Sequence, residues 1–198
     1  MLTLYDTAGS LNCYKVRLFL SLLKLDYRRV PVDLRKGEHK TAEMLLRNPF
    51  GQVPVLATGT LSLRDSHAIL VWLARRYATP EWLPSDPDDE AVVNAWLSAV
   101  AFELRLGPYE ARLKTRAPHY CVAPESLEKN TLRALTLFEQ QLAARKWLAL
   151  DRVTIADVAA FPALAHGHEG GVDLSPYPSI RTWLDRMRAL DGYVDLLS

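Results

Sequence analysis

Along the first eighty residues the apolar positions change period several times. Leu2 and Leu4 alternate with polar or small neighbours, the period of two that marks a short strand. Over residues 12–24 the spacing lengthens, and Val16, Phe19, Leu20 and Leu23 recur on one helix face. Residues 27–32 read as a strand again. Residues 41–47 predict a short helix, stopped at Asn48-Pro49 because proline disfavours helical geometry in the residue before it. Residues 53–57 and 61–64 flank Thr58-Gly59-Thr60, a hairpin turn. Residues 66–77 then carry Ile69, Leu70, Trp72, Leu73 and Tyr77 on a helical stripe. The predicted order is βαβ, a short helix, then ββα.

Beyond Thr79 the strand signals stop. Pro80, Pro84, Ser85, Asp86, Pro87 and Asp88 form a polar, proline-rich bridge of the kind that links domains. Residues 91–105 predict one long apolar-rich helix. Leu127, Leu135, Phe138 and Leu142 mark another that starts after Pro124. Thr154 and Asp157 have the spacing of a capping box, and an apolar helix follows. Pro178 suits the first turn of a last helix that buries Ile180, Trp183, Leu184 and Met187. The expected organisation is an α/β domain over residues 1–78, a linker over 79–88 and an all-α domain over 89–198.

Composition narrows the function. A formal net charge of +1 gives no electrostatic reason to expect nucleic acid or an anionic membrane surface. No apolar stretch approaches the roughly 20 residues that cross a bilayer, and the N-terminus lacks the pattern of a signal peptide, so a cytoplasmic protein is expected. Cys13 and Cys121 are too few for a disulfide framework, and they and five scattered histidines do not form a zinc pattern, so no metal is expected. His166 and His168 flank a glycine at a spacing that does not share a helix face; that tract reads as a helix end and a loop.

The most informative segment is Asn48-Pro49-Phe50-Gly51-Gln52-Val53-Pro54-Val55-Leu56. A proline at the head of a strand cannot donate to the ladder, so it belongs at an edge or a bend. A trans bond is the commoner state. A cis Val53-Pro54 bond would instead offer the N–H and C=O of Val53 to a ligand lying alongside as an added strand. At Asp65-Ser66 a helix opens, and its unpaired N–H groups suit an anion.

Together, Asn48-Pro49-x-Gly51-x-Val53-Pro54, Asp65-Ser66 and Thr154-x-x-Asp157 resemble the cytosolic glutathione transferase superfamily over the whole chain. The run from Ser10 to Val16 is most similar to a bacterial branch near the Nu-class and fungal prion-like members. The resemblance implies a thioredoxin-like first domain that binds glutathione as co-substrate and a helical second domain. It implies that Val53 and Pro54 hold the cysteinyl backbone, that Ser66 meets the γ-glutamyl carboxylate and that Asp65 pairs with its ammonium. Many members keep Glu at the place of Asp65, so the reach is about one methylene shorter here. His39, Lys40 and Gln52 correspond to contacts with the glycine end. Ser10 or Asn12, near the start of the first helix, would hold the thiol as thiolate.

Each of these residues has a plainer reading as well. Ser10, Asn12, Asp65 and Ser66 are all good helix caps, and His39 also reads as an ordinary surface histidine. Ser10-x-x-Cys13 stands where thioredoxin-like oxidoreductases keep Cys-x-x-Cys, with serine replacing the attacking thiol, so Cys13 is read as structural. A hydrophobic acceptor pocket would involve Phe102, Leu106, Tyr109 and Arg112, with Leu11 and Phe50 from the first domain; core packing is the simpler account of the apolar ones. The implied activity is transfer of glutathione to a small hydrophobic electrophile by a homodimer. A glutathione-dependent disulfide reductase or peroxidase, and a non-catalytic glutathione-binding protein, are the alternatives.

Overall fold

β1 (Leu2–Asp6) runs through the middle of a four-stranded sheet of order β2-β1-β3-β4. β2 (Tyr27–Pro31) lies parallel to it; β3 (Val55–Thr58) and β4 (Leu61–Arg64) are antiparallel and form a hairpin. The turn uses Gly59 at φ 52°, the left-handed region that favours glycine. The computed structural model describes residues 1–122 and 124–198. It divides into two units: Met1–Thr79 with Leu190–Ser198, and Pro80–Ala189.

In the first unit, α1 (Leu11–Leu22) connects β1 to β2, α2 (Ala42–Arg47) precedes β3, and α3 (Ser66–Tyr77) follows β4. Of the predicted stripes, Val16, Phe19 and Leu20 from α1, and Ile69, Leu70 and Leu73 from α3, are buried with Leu4 and Leu56 of the sheet, whereas Leu23 and Trp72 are half-buried and Tyr77 is exposed. Each such side chain contributes about 1.5–3 kcal/mol by leaving water. β3 starts two residues later than expected, so Val53 and Pro54 precede the strand.

The last nine residues are where the structure departs most from the expected division. Residues 190–198 group with the first unit, not with the helices. Tyr14 Oη donates to the Val194 carbonyl at 2.7 Å, Arg17 Nη2 donates to the Leu196 carbonyl, and Arg29 Nη1 donates to the Ser198 carbonyl at 3.1 Å. Gly192, at φ 86°, packs so close to the Ser21 carbonyl that a Cβ would stand 2.7 Å away.

The second unit opens with α4 (Pro87–Ala99), which takes in Pro87 and Asp88 of the expected linker. Asp86 caps it, accepting the amides of Asp88 and Asp89 at 3.1 Å, and Pro87 takes the first turn, where no N–H is needed. The helix continues as a π-helical stretch over Val100–Tyr109, is broken at Gly107 (φ −106°, ψ −109°) before Pro108, and resumes as α5 (Glu110–Arg116). The predicted single helix over 91–105 is thus part of a longer, interrupted path. α6 (Leu127–Ala144) buries Leu135, Phe138 and Leu142 of the predicted pattern together with Ala134, while Leu127 is half-buried.

α7 (Ile155–Ala165) is buried along its whole length. Its capping box forms: Asp157 Oδ2 accepts the Thr154 amide at 3.0 Å, while Oδ1 accepts the Leu148 amide at 3.0 Å and Trp183 Nε1 at 2.9 Å. One buried carboxylate therefore fixes a cap, a loop and α8 (Pro178–Arg188). Among the described residues no helix is long and apolar enough to cross a membrane.

Candidate functional site

Sheet register gathers the candidate residues of the first unit. Tyr5 pairs with Val55, and Val55 with Arg64. The loop from β1 to Ser10, the Val53-Pro54 entry to β3 and the Asp65-Ser66 exit from β4 therefore leave the sheet at one end. β2 runs parallel to β1 and pairs Pro31 with Asp6, so the chain toward His39 and Lys40 departs from that end too. Four segments separated in sequence thus converge by topology alone.

The Val53-Pro54 peptide is cis. Neither the N–H nor the C=O of Val53 carries a hydrogen bond among the described residues, although the side chain packs against the cluster of Val32, Met44 and Val55. Asn48 organises the loop that leads there. It is 3% exposed; its Nδ2 donates to the Gln52 carbonyl at 2.8 Å and its Oδ1 accepts the Phe50 amide at 3.0 Å. Lys40 Nζ donates to the Phe50 carbonyl at 3.0 Å, its chain lying over Gly51, so it braces the loop. The Gln52 side chain is exposed.

His39 sits in a 3-10 turn, Glu38–Lys40, and is nearly buried, with Nδ1 lacking a protein partner. Burial and the Lys40 charge hold its pKa below the ordinary histidine value. At α3, Asp65 adopts φ 71°, costly for a residue with a side chain. From there Oδ1 accepts the amides of His67 at 2.9 Å and Ala68 at 3.0 Å, so Asp65 is the cap and Ser66 the first helical residue, 6% exposed.

Ser10 caps α1, its Oγ accepting the Cys13 amide at 3.3 Å. The hydroxyl proton is thereby left to donate elsewhere. Asn12, half-buried in the first turn, makes no side-chain hydrogen bond among the described residues. Cys13 is fully buried; burial and the nearby Asp6 carboxylate push its thiol up to about 12. Leu11 is 1% exposed and belongs to the interior, so its side chain offers a substrate no open surface. Phe50 is exposed, with the Arg64 guanidinium 4.2 Å from its ring centroid.

The helical unit holds the other acceptor candidates around the helix break. Phe102 is 57% exposed, and Leu106 and Tyr109 are half-buried, with Arg105 4.9 Å from the Tyr109 centroid. Arg112 differs from an open pocket residue: it is buried, and its guanidinium meets Glu169 at 3.2 Å. Arg116 at 3.3 Å and His166 Nδ1 at 3.2 Å share that carboxylate. The His166–His168 tract is a helix end, as expected, with His168 Nδ1 at 3.0 Å from the Ala165 carbonyl.

Periodicity missed two features near this end of the sheet: the bracing by Asn48, and the contact of Lys15 with His67. Tyr14, Lys15, Val16 and Arg17 are consecutive and all buried, whereas charged helix residues normally read as solvent-facing.

This arrangement, a βαβ-ββα domain with a cis-proline loop beside two helix starts and a helical companion, defines a thioredoxin-like domain joined to an all-α domain. Residues 4–81 match the glutathione S-transferase N-terminal domain and residues 122–191 the C-terminal domain. The chain belongs to the glutathione S-transferase family. It is 32% identical over 191 residues to a probable glutathione S-transferase, GSTF2, of Oryza sativa subsp. japonica, covering 91% of this chain and 88% of that one. The crystal structure of a glutathione S-transferase from Pseudomonas fluorescens superposes with a TM-score of 0.91 at 32% identity, covering 100% and 99% of the two chains. Ure2p in complex with glutathione gives 0.87 at 27% identity, covering 96% and 95%.

Proposed function

We propose that the protein is a glutathione transferase that binds glutathione at the gathered end of its sheet and adds the sulfur to a hydrophobic electrophile. The observation that carries this reading is Val53, whose two backbone groups are both unpaired among the described residues, at the end of the sheet from which α1 and α3 start. A cysteinyl backbone lying antiparallel to Val53 would satisfy both groups, as an added strand does. Ser66 and the first amides of α3 would receive the γ-glutamyl carboxylate, and Asp65 its ammonium. His39, Lys40 and Gln52 would face the glycine carboxylate.

The thiol would then lie at the start of α1. Because Ser10 Oγ accepts the Cys13 amide, its O–H would remain able to donate to a thiolate, and the helix end would add positive potential. Each unit of thiol pKa lowering requires about 1.4 kcal/mol of preference for the anion, within reach of one hydroxyl donor and one helix terminus. The thiolate attacks the electrophilic carbon, forming C–S while the displaced bond's electron pair leaves with the departing group. Phe102, Leu106 and Tyr109 supply the apolar acceptor face; Arg112 stabilises its frame through Glu169. The working form is a cytosolic homodimer, which sedimentation equilibrium tests.

A second reading, glutathione-dependent disulfide reduction, is favoured by the state of Asn12. Its amide is uncommitted, whereas Ser10 already serves as a cap. Steady-state assays with a chlorodinitrobenzene-type acceptor and with a mixed disulfide separate the two. Conjugation exceeding disulfide turnover, with Ser10→Ala more damaging than Asn12→Ala, supports the transferase; the reverse order supports the reductase.

A further inference from the structure

The helical unit carries a groove of about 510 Å³, within the range of about 300–1,000 Å³ that holds small organic ligands. None of its described lining residues is among those assigned above to glutathione or its acceptor. α5, the first half of α6 and the chain that follows α7 supply its walls. The deepest part is apolar, with Ala111, Leu135 and Val172 all buried. The walls are fixed: Gly170 packs against the α5 main chain too closely to admit a Cβ, and Arg112 of α5 pairs with the adjacent Glu169. One residue on, at Gly171, a Cβ would meet no atom within 4 Å, so the packing stops and free space begins.

Charge is confined to the exposed part of the lining. Glu125, Glu128 and Asp173 place three carboxylates there against one ammonium, that of Lys114. None of the four forms an ion pair among the described residues. Asp173 accepts the Ser175 amide at 2.8 Å and the Ser175 hydroxyl at 2.7 Å, which orient its charge without neutralising it, and Arg181 acts on it only from beyond ion-pair distance. The lining therefore keeps two negative charges that Lys114 does not offset. Tyr177 lines the same groove, and its ring makes no aromatic or cation–π contact among the described residues. A free tyrosine face attracts organic cations.

We propose that this groove binds a small amphiphilic organic cation, its apolar body over Ala111, Leu135 and Val172 and its ammonium among the carboxylates of Glu125, Glu128 and Asp173. The site belongs to the helical unit alone and does not depend on the glutathione reading.

The test follows backbone amide chemical shifts of the full chain by NMR during titration with phenylpropylamine, phenylpropanol and phenylpropionate, which differ in charge and share one apolar body. The expected result is saturable binding of the amine, with shifts centred on residues 170–173 and 127–132, at least about five-fold tighter than the alcohol. The carboxylate should not saturate. Glu128→Gln should weaken the amine about three-fold and Lys114→Gln should strengthen it about three-fold, with the alcohol unchanged in both. Both side chains are exposed, so neither variant threatens the fold. Equal affinity for amine and alcohol means an apolar groove without charge selection and overturns the proposal. Tighter binding of the carboxylate, or no saturable shift in the groove, overturns it too. Shifts there that follow protein concentration alone mean that a second copy fills the groove, which also overturns it.

Discussion

Arg17 Nη1 stands 2.8 Å from both carboxylate oxygens of Asp6, and both side chains are closed to solvent. Arg29 Nε adds a second cation at 2.5 Å from Asp6 Oδ2, and Arg17 Nη2 reaches the Leu196 carbonyl. One buried carboxylate therefore joins the end of β1, the middle of α1 and the returning C-terminal segment. Arg17→Met leaves Asp6 with a single, partly exposed partner. We expect a loss of about 3–5 kcal/mol in urea unfolding, the cost of stranding a buried charge. Arg17→Lys should recover little of it, because one ammonium cannot reproduce the guanidinium's separate contacts.

Cys13 is inert in this account. Its thiol is buried and held protonated, with its pKa pushed up to about 12. Under native conditions a thiol reagent such as iodoacetamide should modify Cys121, which is partly exposed, and leave Cys13 unmodified until the protein is denatured. Rapid native modification of Cys13 would reopen a redox role for it.

α8 is started by a side chain from another helix. Glu139 of α6 accepts the amides of Ser179 and Ile180, each at 3.0 Å, while Tyr177 provides no side-chain cap. Burial alone would raise the Glu139 pKa, but those two amides and the Ser179 hydroxyl outweigh it and hold the carboxyl below its usual value of 4.5. A depressed folded pKa contributes stability that is present above the unfolded pKa and lost as pH falls through the folded one. Thermal unfolding should therefore show an acid-side decline below about pH 4.5 that Glu139→Gln flattens. The variant should lose about 1 kcal/mol at neutral pH.

Gly170 is required by proximity, since a Cβ there would overlap the Ala111 carbonyl and the Arg112 amide of α5. Gly170→Ala must displace α5 from the turn that Glu169 anchors. We expect about 1–3 kcal/mol of destabilisation. We also expect a raised KM for the hydrophobic acceptor with glutathione affinity unchanged, measured by varying each substrate at saturation of the other.

Much of this architecture was legible in the chain. The apolar periods of α1, α3 and α6, the Thr58-Gly59-Thr60 turn and the Thr154–Asp157 box are local signals that tertiary packing reinforces. The convergence of Ser10, Val53 and Asp65 follows from strand register, which resemblance supplied and periodicity could not. What stayed hidden depends on distant partners. Tyr14 and Arg17 look like ordinary polar helix residues until residues 194 and 196 return to meet them. Arg112 reads as a pocket residue until Glu169, far along the chain, claims its charge. Leu11 is expected at the acceptor pocket from the first domain, yet its side chain is buried in the core.

The central claim is that the end of the sheet marked by Ser10, Val53 and Asp65 takes glutathione and ionises its thiol. Calorimetric titration with glutathione, repeated across pH in buffers of different ionisation enthalpy, tests it directly. The account predicts saturable binding with proton release near neutral pH, weakened by Ser66→Ala and by Asp65→Ala. In Ser10→Ala, binding should survive while the proton release moves to higher pH. No saturable heat at millimolar glutathione would contradict the account.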